Sequence, residues 1–470
     1  MPPLIATFLY VAGIALLFRL DRDPTSRTSP ALWIPVAWLL IGASRPVSQW
    51  FGAPLMRSAD QYLEGSPLDA LIFMALEVAA VMVLVARHER SAAFLRGNGA
   101  LLVFFVYCAV SIVWSDYPEV AFKRWTKAVG NVLMVLVVLT DSEPRVAVRG
   151  VLARAGFVLL PLSVLTIKYY PEFGRGFDAW TGRAYNSGVA LDKNGLGVIC
   201  LIFGLGSLWR LLTALRERPR TARPLIAHGT VLAAAVWLFS MADSATSLGC
   251  FIVGGALIAL TLHPRALRPM ALHVFTAGIV FVGLLGVLVD TDVGLVQMLG
   301  RDSTLTTRTE LWDELRHFDV DPVFGTGFES FWLGERVEFL WGKYWWHPNQ
   351  AHNGYLETYL NLGCLGLALL GFVMAQGYRN VLVALRQDRE LGRLRLAYFV
   401  AAVLYNLTEA AFKVVHPIWV IFILAVMRTP PPTRPVVPDA RTRAGGLPLR
   451  NRPVTPRVAG PALSRGTEND

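Results

Sequence analysis

The stretch HPNQAHNGYLETYLNLGCLGLALLGFVMAQ, residues 347–376, passes from a polar segment with two histidines into a long apolar run. The run from 355 to 376 is long enough to cross a bilayer, which takes about 20 apolar residues in a helix. Similar runs recur along the chain, and 54% of its 470 residues are hydrophobic whereas only 17% are charged. This composition excludes a soluble globule and predicts an all-α, polytopic integral membrane protein.

We predict about 12 to 13 transmembrane helices, counted from the apolar runs. The candidate spans are residues 3–18, 31–43, 70–86, 100–114, 128–140, 149–167, 194–214, 227–241, 247–262, 272–290, 355–376, 396–410 and 414–428. The first run lacks the basic flank and the small-residue cleavage site of a signal peptide, so we expect it to remain as a helix. Residues 1–428 are therefore expected to form one membrane domain.

The arginines indicate how this domain is oriented. They are concentrated in the loops that follow odd-numbered spans, and such loops face the cytoplasm by the positive-inside rule. The longer loops, above all 291–354 with its predicted short helices, then lie on the opposite face, with the N-terminus. The net charge of +10 is thus an orientation signal and does not indicate nucleic acid. Residues 429–470, rich in proline and arginine, are expected to be a disordered cytoplasmic tail.

Cofactor and metal signals are weak. No P-loop or protein-kinase pattern is present, and the four cysteines lie in apolar runs without metal-binding spacing. Two D-x-D patterns, at 290–292 and 319–321, would suit a divalent ion on a diphosphate, but two carboxylates at this spacing often arise by chance. We expect no cofactor and no metal.

Six short motifs follow one another between residues 114 and 357. They are WSDYP (114–118), LDKNGLG (191–197), SATSLG (244–249), STLTTRTELW (303–312), GTGFESF (325–331) and HNGYLE (352–357). In this order they resemble the superfamily of O-antigen ligases and exopolysaccharide (Wzy-type) polymerases. One departure is Leu248, where many relatives carry an arginine.

The resemblance implies an inverting, metal-independent glycosyltransferase of the bacterial inner membrane. Its donor would be an oligosaccharide on undecaprenyl diphosphate at the periplasmic face, and chain-length regulators and export proteins would be possible partners. The motifs resemble those of polymerases more than those of ligases that transfer glycan to lipid A-core, although the ligase stays an alternative. A polysaccharide transporter or flippase is the second alternative, but it would keep its polar groups within the spans.

His352 is the predicted catalytic base. Transfer from a lipid diphosphate requires a group that takes a proton from the attacking sugar hydroxyl. The positive end of a helix dipole disfavours imidazolium, so a histidine at a helix start is kept ready to accept a proton. The alternative is a hydrogen-bonded histidine at the membrane interface. Glu329, Glu357 and Glu409 are each candidates to act as a base or to orient His352.

Arg308 is the predicted diphosphate ligand. Thr307 and Glu310 form a capping-box pattern, which predicts a helix N-cap at Thr307 and places Arg308 in the first turn. Exposed amides and a guanidinium there would bind an anion, unless Arg308 pairs with Glu310 instead. The apolar stripe at 311, 312, 315 and 318 predicts that this helix lies along the membrane surface.

The remaining candidates for substrate binding lie in the other loops of the same face. Arg124 and Arg183 could attract lipid phosphate or glycan, and Lys193 and Asn194 stand at a helix start where they could hold donor or acceptor. His347 is either structural or a substrate contact. It does not form a zinc pair with His352, because the two are five residues apart across a proline.

Overall fold

The computed structural model describes residues 1–23, 26, 28–53, 65–177, 182–218, 220–263, 273, 277–278 and 304–429, with only the backbone for 304–309. The regular secondary structure of this part of the chain consists of helices and one two-stranded antiparallel ribbon. The ribbon pairs β1 (Arg175–Phe177) with β2 (Ala184–Asn186). Apart from Thr429, the predicted tail lies outside the described residues.

The helices are numbered in chain order. They are α1 (Pro3–Leu20), α2 (Trp33–Gly42), α3 (Val47–Trp50), α4 (Pro67–Ala86), α5 (His88–Gly97), α6 (Gly99–Val110), α7 (Pro118–Leu139), α8 (Pro144–Tyr169), α9 (Pro171–Gly174), α10 (Lys193–Ala214), α11 (Ala222–Ala242), α12 (Ala245–Leu260), α13 (Thr304–His317), α14 (Gly334–Lys343), α15 (Gly354–Gln387), α16 (Arg389–Thr408) and α17 (Pro417–Val426). Short 3-10 turns precede α2 and follow α6. The predicted all-α membrane fold is confirmed.

Fewer helices than predicted have the length and composition of a full span. Among the described residues, α1, α4, α8, α10, α11 and α15 pass this test, and α5 with Gly99–Trp114, bent by 88°, would make a seventh span. The helices at 30–42, 245–260 and 417–426 are apolar but short. The spans predicted at 128–140 and 396–410 are the apolar halves of α7 and α16, whose other turns carry several charges. The span predicted at 272–290 lies almost entirely outside the described residues.

One end of the helix bundle, called here the basic end, contains arginine-rich loops that follow odd-numbered predicted spans. Ion pairs join Arg87 to Asp141 (3.1 Å), Arg149 to Asp21 (3.3 Å) and Arg145 to Glu390 (2.8 Å). These contacts connect the ends of α1, α4 and α7 with the starts of α8 and α16. Loops after odd-numbered predicted spans therefore share one end of the bundle, as the sequence predicted.

The opposite end, called the site end, is organised by a break in α15. Gly363 has φ 64° and ψ −169°, a conformation that interrupts the helix. The amide of Cys364 consequently donates to the carbonyl of Pro322 (2.9 Å), and the carbonyl of Leu360 accepts from the amide of Thr326 (3.1 Å). The break thus replaces helical hydrogen bonds with bonds to residues 322–326, which anchors this part of the large loop.

The same loop connects several of the sequence motifs. The side-chain oxygen of Asn361 accepts from the amides of Ser330 (2.8 Å) and Phe331 (3.0 Å). The Ser330 hydroxyl in turn lies 2.6 Å from that of Ser115. The motifs at 114–118, 325–331 and 352–357 therefore belong to one packed unit, although they are far apart in sequence.

Helix α13 corrects two predictions about the loop. It begins at Thr304, so Thr307 lies inside the helix and the predicted N-cap at Thr307 is wrong. The residues of the capping-box pattern are present, but they lie within the helix and not at its start. Its apolar stripe is also not turned to lipid. Leu311 and Leu315 are buried and belong to a small core with Leu340 and Leu360. Contacts with α14 and α15 bury the stripe that the sequence assigned to the membrane surface.

Candidate functional site

The structure places His352 directly before α15, where the sequence predicted it. Asn353 is the N-cap of this helix, and its side-chain oxygen accepts from the amides of Tyr355 and Leu356, each at 3.0 Å. Gly354 follows, and a side chain there would collide with Asn406 of α16, because an added Cβ would lie 2.0 Å from its amide oxygen. His352 itself has a left-handed backbone, with φ 49°. The imidazole is therefore held between two tightly packed helices.

The imidazole of His352 contacts the carboxylate of Glu409, the residue directly after α16. Nδ1 of His352 lies 3.2 Å from Oε2 of Glu409, whose side chain is only 8% exposed. The other carboxylate oxygen, Oε1, accepts from the side-chain amide of Asn194 at 3.2 Å. Nδ1 also lies 3.4 Å from the side-chain amide nitrogen of Gln350, which can only donate. We assign Nδ1 as the donating nitrogen because its contact with the carboxylate is the shorter one and a carboxylate only accepts hydrogen bonds, which leaves Nε2 able to accept a proton.

This pair opens into a cavity of about 250 Å³ at the site end. The cavity lies between the start of α10, the end of α16 and the segment before α15. Its polar lining consists of Ser44, Asp192, Asn194, Gln350, His352, Tyr405, Glu409, Lys413 and His416. A titratable imidazole, carboxylates and an ammonium group thus face a space that is large enough for part of a sugar residue.

Asp192 and His416 are titratable groups of the lining that lie in the loops, and both have shifted pKa values. Asp192 caps α10 and accepts from the amide of Gly195 at 2.7 Å. Desolvation by the surrounding protein, together with the charge of Glu409, raises the pKa of Asp192. Burial, reinforced by the nearby charge of Lys413, lowers the pKa of His416 to about 4, and this imidazole accepts from the amide of Ile418. His416 is therefore neutral at pH 7.

Lys413 connects the cavity to a second polar cluster, which consists of Glu357, Glu329 and Arg124. Its ammonium nitrogen lies 3.6 Å from Oε1 of Glu357 and 3.4 Å from the amide oxygen of Gln350. Arg124 donates to the backbone carbonyl of Glu329 nearby. Desolvation raises the pKa of Glu329, while the charges of Lys413 and Arg124 act in the opposite direction. Cationic side chains consequently stand beside the imidazole and its carboxylate.

Of the predicted substrate contacts, Asn194 alone is shown in the lining of this cavity. Lys193 is next to it at the start of α10 and its nitrogen lies 3.8 Å from a carboxylate oxygen of Asp243. Arg124 reaches the neighbouring cluster, whereas Arg183 is exposed just before β2. The backbone of Arg308 is in the second turn of α13, and its side chain lies outside the described residues.

His347 was a weaker candidate, and the structure places its ring outside the lining of the cavity. The ring stacks on Trp341, with 4.9 Å between centroids and 14° between planes. Its backbone amide donates to the carbonyl of Tyr344 at 3.0 Å. These contacts favour the structural interpretation of His347.

The sequence did not single out Asp192, Gln350, Tyr405, Lys413 or His416. Asp192 stands beside Asn194 in a quoted motif, so its position before an apolar run could have identified it as a helix cap. Lys413 directly precedes the last predicted span and His416 lies at its start, where ionisable residues are a signal of function in membrane proteins. Nothing in the spacing of Gln350 or Tyr405 distinguishes them.

Comparison with known proteins supports the family resemblance. The family described as O-antigen ligase matches residues 228–371. The exopolysaccharide production protein ExoQ of Rhizobium meliloti is 28% identical over 304 residues, which cover 62% of this chain and 67% of that protein. These similarities support the superfamily of O-antigen ligases and exopolysaccharide proteins. Proteins of Rickettsia typhi and Rickettsia prowazekii that are named as polysaccharide ligases are 19% and 20% identical over 343 residues, 70% of this chain and 80% of each relative.

The region matched by the O-antigen ligase family contains only part of the candidate site. His352 and Gln350 lie within residues 228–371, as does the break of α15 at Gly363. Asn194 precedes this region and Glu409 follows it. In this chain, the imidazole is therefore held by groups from outside the matched region.

Proposed function

We propose that this protein is a polysaccharide polymerase that joins oligosaccharide repeats carried on undecaprenyl diphosphate. In this proposal the site end faces the periplasm of a bacterial inner membrane, and His352 is the catalytic base. The hydrogen-bonded pair of His352 and Glu409 at a cavity carries the proposal. It has the arrangement expected of a general base: an accepting nitrogen toward the cavity and a buried carboxylate behind it.

The proposed reaction assigns a role to each group of this pair. The acceptor hydroxyl attacks the anomeric carbon of the donor sugar from the side opposite the diphosphate, so the configuration is inverted. As the new C–O bond forms, the C–O bond to the diphosphate breaks and the hydroxyl proton passes to Nε2 of His352. Glu409 stabilises the resulting imidazolium through Nδ1. General-base assistance of this kind typically contributes about 10² to 10⁴ in rate, and the leaving diphosphate provides the driving force.

Cations are needed where negative charge develops on the leaving diphosphate. Lys413 lines the cavity itself, and Arg124 lies beside the adjoining cluster. We also retain Arg308, Arg183 and Lys193 as proposed contacts of the lipid-linked substrate. No metal or other cofactor enters the proposed reaction.

A ligase that transfers finished glycan to another lipid acceptor is the second candidate. The Rickettsia relatives are named as polysaccharide ligases, which favours this alternative. A deletion strain distinguishes the two. Loss of long chains with single repeats retained supports the polymerase, whereas long chains that accumulate on the lipid diphosphate support the ligase.

A transporter of lipid-linked glycan is less consistent with the location of the polar groups. The candidate residues lie at the ends of α10, α15 and α16, whereas a transporter is expected to bind substrate near the bilayer midplane. The purified protein separates these functions in liposomes. Glycan that crosses the bilayer without being joined would contradict the enzymatic proposal.

The direct test is reconstitution of the full chain with a lipid-linked oligosaccharide. We expect His352→Ala to reduce the rate of glycan joining by about 10² or more, because Nε2 is the proton acceptor. His88→Ala is the matched control, since His88 is exposed at the basic end and should retain full activity. Arg308→Ala tests the diphosphate contact separately. Full activity of both His352→Ala and Arg308→Ala would remove these site assignments.

A further inference from the structure

The basic end contains a separate cavity, of about 750 Å³, at the opposite end of the bundle from His352. It lies between the end of α1 and the first half of α8. The charged residues that line it are Arg19, Asp21, Arg22, Asp23, Arg149 and Arg154. Four arginines against two aspartates make the lining cationic, so the cavity favours an anionic occupant.

Asp21, one of the two aspartates of this lining, already has partners within the protein. Oδ1 of Asp21 lies 3.3 Å from Arg149 and 3.2 Å from Nε2 of His228. Burial opposes ionisation, yet the hydrogen bond from His228 and the neighbouring positive charges hold the pKa of Asp21 below its usual value. Arg149 is thus engaged with an ionised partner. Asp23 is the other carboxylate of the lining, and the three further arginines, Arg19, Arg22 and Arg154, outnumber it.

Arg154 provides the second observation. Its Nη1 atom is buried and has no hydrogen-bond partner among the described residues. Its guanidinium lies over the ring of Trp33, with Cζ 5.1 Å from the ring centroid, and it packs against Gly150. A buried N–H without an acceptor costs about 1–3 kcal/mol, and hydrogen bonds to charged groups are stronger than neutral ones. Arg154 also lines the cavity, so an anion that enters it and reorients this guanidinium would remove this cost.

The surroundings of the cavity are those of a membrane interface. Helix α1 has only 11% of its apolar window buried inside the protein, so most of its surface is available to lipid. Trp33, whose ring carries Arg154, is 51% exposed. Tryptophan and arginine side chains at a span end are typical of the headgroup region of a bilayer. The cavity therefore opens at the depth of lipid phosphates.

We propose that this cavity binds a phosphoryl group through Arg154, Arg22 and Arg19. The group would be carried by the headgroup of an anionic membrane lipid or by a free phosphate ion. Arginine suits this role because its planar guanidinium can donate two parallel hydrogen bonds to phosphate oxygens. The proposal is independent of the glycosyl-transfer reaction, which uses the other end of the bundle.

Native mass spectrometry of the full chain in detergent provides the test. We expect bound phosphatidylglycerol in clear preference to phosphatidylcholine, and about a tenfold weaker association in Arg154→Gln and in Arg22→Gln, because each loses a charge-assisted contact. Arg145→Gln is the matched control. It removes an arginine from the same helix as Arg154, but Arg145 is half-exposed and pairs with Glu390 outside the cavity.

Inorganic phosphate, added in a second series, distinguishes the sources of the phosphoryl group. Phosphate that binds and displaces the lipid supports a site for free phosphate, while lipid that binds and resists displacement supports a headgroup site. The proposal is overturned if neither probe binds, or if Arg22→Gln and Arg154→Gln retain wild-type association. Arg22 is exposed after the end of α1, so its variant remains informative if Arg154→Gln does not fold.

Discussion

At the scale of single residues, the carboxylate of Glu409 decides which nitrogen of His352 can accept a proton. One oxygen of this carboxylate contacts Nδ1 of His352, and the other accepts a hydrogen bond from the side-chain amide of Asn194. A neutral amide in its place keeps the size of the side chain but removes the charge that stabilises imidazolium. Glu409 is therefore a positioning residue in the proposed reaction, and its effect should be separable from simple loss of structure.

We expect Glu409→Gln to lower kcat by about 10²-fold with a smaller change in KM, because the base is weakened while the cavity persists. The pH profile of kcat should change as well, since the proposed base loses its charged neighbour. Glu338→Gln, an exposed change on α14, is the control. Equal losses of kcat and folded protein in Glu409→Gln would argue for a purely structural role.

His416 should make stability depend on pH. Its pKa is lowered from 6.5 to about 4 in the folded protein, so between these values the unfolded chain binds a proton that the native state does not. The contribution of this imidazole to the free energy of unfolding is therefore complete above pH 6.5. It decreases by up to about 3 kcal/mol as the pH falls toward 4.

The measurement is the apparent Tm in detergent at pH 7 and pH 5. Wild type should lose more Tm on acidification than His416→Asn, because asparagine can still cap α17 through its oxygen but does not titrate. His88→Asn, at an exposed position, should behave as wild type does. An identical pH response in His416→Asn would show that other groups cause the dependence.

At the scale of elements, the break of α15 anchors the large loop to the bundle. Gly363 adopts a conformation that is essentially restricted to glycine, and an added Cβ would lie 2.2 Å from the carbonyl oxygen of Val323. Gly363→Ala should therefore cost at least about 2 kcal/mol through backbone strain and collision.

Gly371 offers a control in the same helix, because nothing lies within 4 Å of its added Cβ. Gly371→Ala should be neutral or slightly stabilising, since alanine is the better helix former. Apparent Tm values of the two variants provide the comparison. If Gly363→Ala is as stable as Gly371→Ala, the break does not anchor residues 322–326 in the way described.

The elements also show what sequence patterns can predict. Hydrophobic runs identified most helices, and the polar-to-apolar boundary correctly placed His352 before α15. The pattern around Thr307 failed, because a capping box reports only a local preference and the helix is already formed at Thr304. The apolar stripe there was real, but the pattern could not distinguish burial by protein from burial by lipid.

At the scale of the whole molecule, the prediction concerns orientation. In intact cells, a membrane-impermeant maleimide should label Lys343→Cys at the site end but should label Arg145→Cys only after permeabilisation. Both residues are exposed, and Cys364 is replaced by alanine beforehand because it is the exposed native cysteine in the described chain. The reverse labelling pattern would place the candidate site in the cytoplasm and contradict the proposed function.

The assembly of the site is the part that no local pattern contains. His352 and Glu409 are 57 residues apart, and Asn194 is 215 residues from Glu409. Helical periodicity shows which face of a helix is apolar, but it does not show which helix ends meet. The sequence consequently offered three glutamates as partners of His352, and only the packing of α10 and α15 against α16 selects Glu409.

The shared carboxylate has a consequence for inhibition. Because Asn194 and the imidazole bond to the same side chain, a small amide that inserts between Asn194 and Glu409 would disturb the proposed proton acceptor without occupying the place proposed for a sugar. Such a compound need not imitate a glycan or compete with one. Drug resistance at this position would be costly, since losing the asparagine or the glutamate would impair the protein as the compound does.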